Sequence, residues 1–271
     1  MTSFIHAYIF ISCFHFCLGL QCTYPVQIQL SSYELTLTNI EARLNNLRRS
    51  DGVICEVYVE YYYTTHMLSI EFKQSTEPVH LRSVENVYIH TMKSFISNKS
   101  TNQTTIKTVI DLLCYSNDRC DQKFILEYFS QIIQTDHSYW TSIIRPLLTM
   151  GNSKKVECMV GIENQTKLCP NKVCSWYYST DTKFNEGKCE NIDDRTLPML
   201  EFNIIVKLYE RQANPNDNKK PAAIRAIFDY SSSIQFSCKF NNCNNQYNGK
   251  LIQQALQQYD DFWKMYKVCV G

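Results

Sequence analysis

The chain has 271 residues, and its 27 Lys and Arg nearly balance its 26 Asp and Glu, which leaves a formal net charge of +1. Hydrophobic residues make up 44% of the chain, and this content excludes a disordered protein because enough apolar surface is available to form a core. Since the chain has no basic excess, no nucleic-acid partner is expected.

The N-terminal segment, residues 1–19, contains no Lys, Arg, Asp or Glu. Its apolar stretch is shorter than the roughly 20 residues of a membrane-spanning helix. Small residues at Cys17 and Gly19 fit cleavage after Gly19, so a secretory signal peptide is predicted. A buried N-terminal helix or an uncleaved signal anchor is the alternative. No later stretch has transmembrane length, so we expect a secreted, extracellular protein without a transmembrane anchor.

The chain has 13 cysteines, and in an oxidising compartment they are expected to form disulfides. Because Cys13 and Cys17 leave with the signal peptide, an odd number remains. Cys22 lies next to the predicted cleavage site and is interpreted as the unpaired one. Cleavage after Cys22 would leave an even number of cysteines, whereas a retained Cys22 would be free or would link two chains into a covalent dimer. The cysteines predicted to pair within the chain are Cys55, Cys114, Cys120, Cys158, Cys169, Cys174, Cys189, Cys238, Cys243 and Cys269.

Three Asn-x-Ser/Thr triplets agree with secretion and predict N-linked glycans at Asn98, Asn102 and Asn164. The first two lie in one polar stretch of the sequence. Such a stretch is expected to form an exposed loop, which a glycosylation site requires.

The period of the apolar residues predicts the elements of the first half, since a period of two indicates a strand and a period of 3.6 indicates a helix. The spacing from Thr38 to Glu41 is typical of a capping box, and Gly52 supplies a C-terminal stop. In chain order the predicted elements are a helix over 39–50, strands over 53–63, 67–73, 87–92 and 105–114, a helix over 121–133, and a helix over 139–150 interrupted at Pro146.

Residues 151–198 are rich in cysteine and poor in periodic apolar residues. They are predicted to form an irregular, cysteine-rich connecting segment that disulfides hold in place. Strand-like alternation then returns. The predicted elements of the last part are strands over 199–210, 222–230 and 233–240 and a helix over 247–267.

The end of the chain repeats the order of the first half: strands, a cysteine, a short polar loop, a second cysteine and a helix. We therefore predict an α+β fold of two related, disulfide-stabilised units, each with antiparallel strands covered by a helix. The units span 20–150 and 199–271, and 151–198 connects them. In one alternative, the shared order is an accident of any α+β protein. In another, the loop cysteines (Cys114, Cys120, Cys238 and Cys243) pair with distant partners.

The spacing of the polar residues matches no known catalytic or metal-binding motif. No HExxH, GxSxG, GxGxxG or Walker sequence is present, so neither a metal nor a cofactor is predicted. If the chain is instead a secreted hydrolase whose site forms only in the fold, His90 and His137 are the candidate bases.

Aromatic residues supply the binding candidates, because Tyr and Trp combine a large contact area with a polar tip. These candidates are Tyr58, Trp176 and Tyr177. Tyr58 shares a strand face with Glu56 and Glu60, so this face is expected to reach solvent unless a helix covers it. The sequence favours a secreted glycoprotein that binds an extracellular protein or a glycan, or that has a structural role. A hydrolase, or an inhibitor or effector acting through the cysteine-rich segment, is the alternative.

Overall fold

A computed structural model of the protein describes residues 20–75, 85–98, 103–115, 118–148, 156–161, 165–170, 173–182, 184–190, 198–210 and 226–257. The predicted signal peptide, the sequons at Asn102 and Asn164, and Cys269 lie outside the described residues. Within them the fold is a mixed α+β fold with four α-helices, and its strands pair antiparallel.

The first half of the chain contributes seven strands and three helices, with a short 3-10 turn at Ser32–Glu34. The elements are β1 (Leu20–Thr23), β2 (Val26–Leu30), α1 (Leu37–Asn45), β3 (Arg49–Gly52), β4 (Ile54–Tyr62), β5 (Met67–Ser75), β6 (Glu85–Asn98), β7 (Gln103–Cys114), α2 (Cys120–Gln134) and α3 (Ser138–Leu148).

The second half contributes six strands and one helix. The elements are β8 (Val156–Val160), β9 (Gln165–Cys169), β10 (Cys174–Ser179), β11 (Phe184–Cys189), β12 (Met199–Glu210), β13 (Ala226–Cys238) and α4 (Gln246–Gln257).

Nine of these strands form one sheet in the order β11-β10-β13-β12-β6-β7-β4-β5-β2. The remaining strands form two small pairs, β1 with β3 and β8 with β9. β6 and β12 lie in the middle of the large sheet and pair along most of their length. Both halves of the chain therefore belong to one continuous sheet.

The two faces of the sheet differ. Along β4, the buried Val57, Val59 and Tyr61 alternate with partly exposed residues, as the period of two requires. The buried side packs against Phe124 and Phe129 of α2. We call this side the helix face, and we call the side that carries Glu56, Tyr58, Glu60 and Tyr62 the open face.

Two hydrophobic clusters fill the helix face, one for each half of the sheet. The first joins α1 and α2 to β4, β5 and β7. The second joins α3 and α4 to β12 and β13 through residues such as Ile144, Ile252 and Leu200. Tyr63 packs against both clusters, and the buried polar residues Thr91 and Lys93 lie on the helix face of β6 between them.

Five disulfides link cysteines within the chain: Cys22–Cys55, Cys114–Cys120, Cys158–Cys174, Cys169–Cys189 and Cys238–Cys243. The prediction that Cys22 is unpaired, and with it the covalent dimer, is therefore wrong, because β1 brings Cys22 beside the start of β4. Of the alternatives for the two short loops, the structure has the local pairings. None of the helices in the described part of the chain has the length and apolarity needed to span a membrane.

The strands predicted over 53–63 and 67–73 are confirmed by β4 and β5, which form an antiparallel hairpin. The helix predicted over 121–133 is confirmed by α2. The helix predicted over 39–50 begins and ends earlier. Its N-cap is Thr36, whose hydroxyl accepts a hydrogen bond from the Asn39 amide. Residues 49–52 instead form β3, because β1 offers them a strand to pair with.

Three further predictions about local structure are wrong. The segment 151–198, predicted to be irregular, carries four strands, two of which belong to the large sheet. The strands predicted over 222–230 and 233–240 are one strand, β13, because the intervening serines pair with Ile204 and Ile205. Helix α3 continues through Pro146 and ends two residues later.

Candidate binding surface

The open face spans the full width of the sheet. Among the described residues, the buried apolar side chains of the four helices belong to the two hydrophobic clusters on the other side of the sheet. No helix in the described part of the chain therefore packs against the open face. An antiparallel sheet commonly leaves one face exposed to solvent, so the lack of a covering helix does not by itself mark a site. The aromatic and charged side chains on this face make it the candidate surface for a ligand.

In the first half, the open face is charged and aromatic. Tyr58 on β4 lies opposite Glu71 on β5 and opposite Asp111 on β7. The Lys73 ammonium lies 3.1 Å from the Glu71 carboxylate, 3.9 Å from the Glu56 carboxylate and 5.9 Å from the centre of the Tyr58 ring. The ring thus lies beside the Glu71–Lys73 ion pair.

A second ion pair lies on the same strand face. The Lys107 ammonium donates to Glu60 at 2.7 Å and lies 5.6 Å from the centre of the Tyr62 ring. The Tyr62 hydroxyl donates to Glu60 at 2.9 Å. Tyr62 is therefore held by this network rather than covered by a helix.

Partial burial changes the acidity of this patch. Desolvation raises the pKa of Asp111, and the nearby His90 partly offsets the change. The pKa of Glu56 is also raised, first by desolvation and then by the Asp111 charge. The pKa of Tyr58 is raised by desolvation and by Glu60. The patch therefore carries closely spaced acidic groups, and its carboxylates favour ligands that bring hydrogen-bond donors or positive charge.

In the second half, the open face carries Glu186, Glu190 and Glu201 among hydroxyl and amide groups. β10 contributes the partly exposed Tyr177, and β13 contributes the partly exposed Ser231, Ser233 and Gln235. Ser175, Ser179 and Ser237 share this face but are buried. Glu186 lies opposite Tyr177 on β11. The Lys188 ammonium lies 3.3 Å from Glu190, which also accepts a hydrogen bond from the Ser175 hydroxyl at 2.6 Å.

Two of the three aromatic residues singled out by sequence lie on the open face. Tyr58 and Tyr177 are both partly exposed there. Trp176 points to the helix face and is 3% exposed. Its indole nitrogen donates to the Asn185 side chain at 2.6 Å, and its ring lies against Gly249 of α4. Trp176 therefore contributes to the core rather than to the surface.

The two histidines considered as bases lie on opposite faces. His90 is on the open face, where its Nε2 lies 3.2 Å from the Asn203 side-chain oxygen. His137 is buried, with its ring centre 4.0 Å from that of Tyr63. Desolvation, together with the positive charge of Lys93, lowers the pKa of His137 to about 3. His137 is therefore uncharged at neutral pH and acts as a core residue.

The sulfur atoms of Cys158, Cys169 and Cys189 lie within 4.8 Å of one another. Each of these atoms already belongs to a disulfide. Metal binding to cysteine requires a thiolate, which a disulfide sulfur cannot provide. The cluster is therefore a pair of adjacent disulfides that fix β8, β9, β10 and β11 to one another.

Comparison of the chain with protein-family models, with curated proteins and with solved structures gives no match. The open face therefore has to be interpreted from its own residues. Sequence reasoning identified the two tyrosines but missed Glu71, Lys73, Glu186 and Lys188. These residues become recognisable only when the strand register places each pair beside its tyrosine.

Proposed function

We propose that the protein is a secreted, N-glycosylated extracellular binding protein whose ligand contacts the open face of the sheet. The observation that carries the proposal is the position of Tyr58 and Tyr177 on a sheet face that no described helix covers. Five disulfides support an extracellular site of action, since disulfides persist in oxidising compartments.

We also propose that the chain consists of two related units, and the order of the strands supports this. From the centre of the sheet outward, the first half has β6, β7, β4 and β5, and the second half has β12, β13, β10 and β11. When these four strands are numbered in chain order, each series has the spatial order 3-4-1-2. The ninth strand of the sheet, β2, lies beside β5 at the edge and has no counterpart among the described strands of the second half. A helix follows the last strand in both halves.

Equivalent disulfides support the same proposal. Cys22–Cys55 joins β1 to β4, and Cys158–Cys174 joins β8 to β10. Cys55 lies directly opposite Cys114 in the ladder between β4 and β7, and Cys174 lies directly opposite Cys238 in the ladder between β10 and β13. Cys114–Cys120 and Cys238–Cys243 then lead into α2 and α4. The last disulfide, Cys169–Cys189, has no counterpart in the first unit.

The strand-to-helix corners agree in their backbone geometry. The residues before the second loop cysteines, Arg119 and Asn242, have φ angles of 60° and 54°, values that non-glycine residues rarely adopt. The Arg119 amide donates to the Gln21 carbonyl at 2.8 Å, and the Asn242 amide donates to the Glu157 carbonyl at 2.7 Å. In both units the acceptor is the residue that precedes the cysteine of a strand outside the large sheet, β1 in the first unit and β8 in the second.

The buried side chains at the two corners also correspond. A carboxylate oxygen of Asp121 accepts a hydrogen bond from the Thr23 amide at 2.8 Å, and the amide oxygen of Asn244 accepts one from the Met159 amide at 2.9 Å. Thr23 follows the cysteine of β1, and Met159 follows the cysteine of β8. Two unrelated corners are not expected to share a disulfide, an unusual φ angle and this hydrogen bond.

The central ladder supports a two-fold relation between the units. If Cys114 of the first unit is taken as equivalent to Cys238 of the second, the strand register makes Met92 of β6 equivalent to Asn203 of β12. These two residues lie directly opposite each other. On either side, Ile96 pairs with Met199, and Tyr88 pairs with Lys207. An isologous, two-fold pairing of equivalent strands produces this register.

The proposed units therefore span 20–148 and 156–257. The cysteine-rich segment, which the sequence suggested was a connection, supplies the first strands of the second unit. Secretion, cleavage and glycosylation remain part of the proposal. Peptide mapping of the secreted protein under non-reducing conditions tests them, because it gives the mature N-terminus, the occupancy of each sequon and each disulfide partner.

Binding through the open face is tested with the full-length secreted protein on a panel of extracellular-matrix proteins and glycans. Ser233→Arg places a long charged side chain on β13, beside the strand that carries Tyr177, and is expected to weaken binding to this part of the open face strongly. Tyr33→Arg is the matched control, because Tyr33 is 82% exposed and lies outside the sheet. Equal binding by the Ser233→Arg variant, or no binding to the panel, would contradict the proposal.

A further inference from the structure

We propose that the open face carries two equivalent saccharide-binding sites, one centred on Tyr58 and the other on Tyr177. This inference rests on the proposed function, because it requires the open face to be the binding surface. It goes further by naming the ligand class, the residues that bind it and the number of sites in one chain.

A few open-face residues are identical at equivalent positions of the two units. The disulfides and the strand register match β4 to β10, β5 to β11, β6 to β12 and β7 to β13. Most open-face positions differ between the units, as in His90 and Glu201 or Asp111 and Gln235. Among the described strand positions of the open face, the residues that agree are Tyr58 with Tyr177, Glu71 with Glu186, and Lys73 with Lys188.

Within each unit, these three residues are neighbours on the open face. Tyr58 lies directly opposite Glu71 in one ladder, and Tyr177 lies directly opposite Glu186 in the other. The lysine follows two residues after the glutamate on the same strand and therefore projects from the same face. The residues that agree thus form one contiguous patch in each unit.

Structural need does not account for this agreement. The other identical pairs at aligned strand and loop positions, the cysteines and Ile110 with Ile234, are buried and hold the fold. The Tyr, Glu and Lys side chains instead lie on the surface. About 40% of the Glu71 side chain and about half of the Lys73 and Lys188 side chains are exposed. A surface patch kept in two otherwise divergent units is the pattern that a shared binding role produces.

The chemistry of each patch matches a saccharide. The tyrosine ring gives an apolar platform with a polar edge, on which the C–H face of a sugar ring can pack. The glutamate accepts hydrogen bonds from hydroxyl groups, and the lysine donates them. In each patch the lysine is paired with a carboxylate: Lys73 with Glu71, and Lys188 with Glu190 rather than with Glu186. A ligand rich in hydroxyl groups and without strong negative charge fits this combination.

The surroundings of the two patches give them different preferences. Glu56 and Asp111 flank Tyr58, whereas the equivalent neighbours of Tyr177 are Ser175 and Gln235. The first patch is therefore more acidic than the second. We expect the Tyr58 site to favour sugars that carry a protonated amine and the Tyr177 site to favour neutral sugars.

The spacing of the patches suits an extended or multivalent ligand. Tyr58 and Tyr177 lie on strands that are five steps apart in the sheet. With strands ~4.8 Å apart and the offset along the strands that the register gives, the two rings are separated by about 27 Å. Two modest sites at this distance would bind a glycan-coated surface much more tightly than either site alone.

The experiment uses the full-length secreted protein and an array of neutral, amine-bearing and acidic glycans, followed by calorimetric titration with the best soluble glycan. Binding to neutral or amine-bearing glycans with two sites per chain is expected. Tyr58→Ala and Tyr177→Ala should each lower the number of sites to one. The double variant should lose binding, and its retention on a dense glycan surface should fall by about 10²-fold or more.

Tyr33→Ala is the matched control, because it removes a tyrosine that is 82% exposed outside the sheet. Far-ultraviolet circular dichroism confirms that each variant is folded, and Tyr58→Phe should keep its site because the ring remains. A single site per chain, binding to acidic glycans alone, or site numbers that the tyrosine variants leave unchanged would overturn the inference. Binding to a protein but to no glycan would also overturn it, while leaving the proposed binding function in place.

Discussion

The two buried corner residues, Asp121 and Asn244, predict unequal losses of stability when each is replaced by the other's residue type. In Asp121→Asn, the new side-chain oxygen can still accept the Thr23 amide. What is lost is the second bond, in which the Gln122 amide donates to the carboxylate at 2.8 Å. This bond is made to a charged group, and its loss leaves the buried Gln122 backbone amide without an acceptor, so we expect a cost of about 1–2 kcal/mol.

In Asn244→Asp, the side chain loses both of its donors. The Asn244 amide nitrogen donates to the Met159 carbonyl at 2.8 Å and to the Ser175 carbonyl at 2.7 Å. Asn244 is 2% exposed, so water does not reach the two carbonyls to replace the lost donors. Each orphaned buried carbonyl costs about 1–3 kcal/mol, and the carboxylate repels both, which gives a total of about 3–5 kcal/mol.

Urea unfolding at pH 7 with intact disulfides measures both variants, and linear extrapolation gives the free energy of unfolding. We expect the midpoint of Asn244→Asp to fall by roughly 1 M or more and that of Asp121→Asn by a few tenths of that. Lowering the pH should partly restore Asn244→Asp, because the protonated acid can donate to one carbonyl and folding then favours the protonated form. Equal costs for the two variants, or a cost below about 1 kcal/mol for Asn244→Asp, would refute the reasoning.

Two further predictions concern the core. The folded-state pKa of His137 is about 3, whereas an unfolded histidine titrates near 6.5, so the folded state binds fewer protons between these values and stability falls as the pH drops through them. From pH 7 to pH 5 the loss is about 2 kcal/mol. His137→Phe should remove this loss in urea titrations at both pH values, whereas the exposed control His66→Asn should keep it. In Gly249→Ala, the added Cβ would lie 2.8 Å from the Trp176 ring, and we expect a loss of about 1–3 kcal/mol with a changed near-ultraviolet tryptophan signal. Gly161→Ala is the control, since its Cβ meets nothing within 4 Å, and its positive φ should cost only about 1 kcal/mol without altering that signal. A Gly249→Ala variant as stable as the wild type would contradict the observed packing.

Local patterns predicted the elements in which one period dominates. The alternation through β4 and β5 and the apolar stripe of α2 are independent of distant partners, so the sequence alone indicates them. β10 was missed because its run from Cys174 to Ser179 has no regular change between apolar and polar residues. β3 was missed because it exists only where β1 is beside it.

The candidate surface was only partly predictable for a similar reason. Trp176 and Tyr177 are neighbours in one strand, so they must point to opposite faces. The sequence could not indicate which of them faces the core, because that choice depends on Gly249 and Asn185, which contact the indole from distant positions. The glutamates and lysines beside the tyrosines come from neighbouring strands, and only the register brings them together.

The central ladder between β6 and β12 has a consequence for how the chain folds as it is made. β6 must wait for a partner strand that follows on the order of 100 residues later, so this contact has a high entropic cost and forms late. Until β12 emerges, β6 presents an unpaired edge to its surroundings, and such edges promote association with other chains. During biosynthesis, the first half would therefore depend on its own disulfides and on chaperones until the second half completes the sheet.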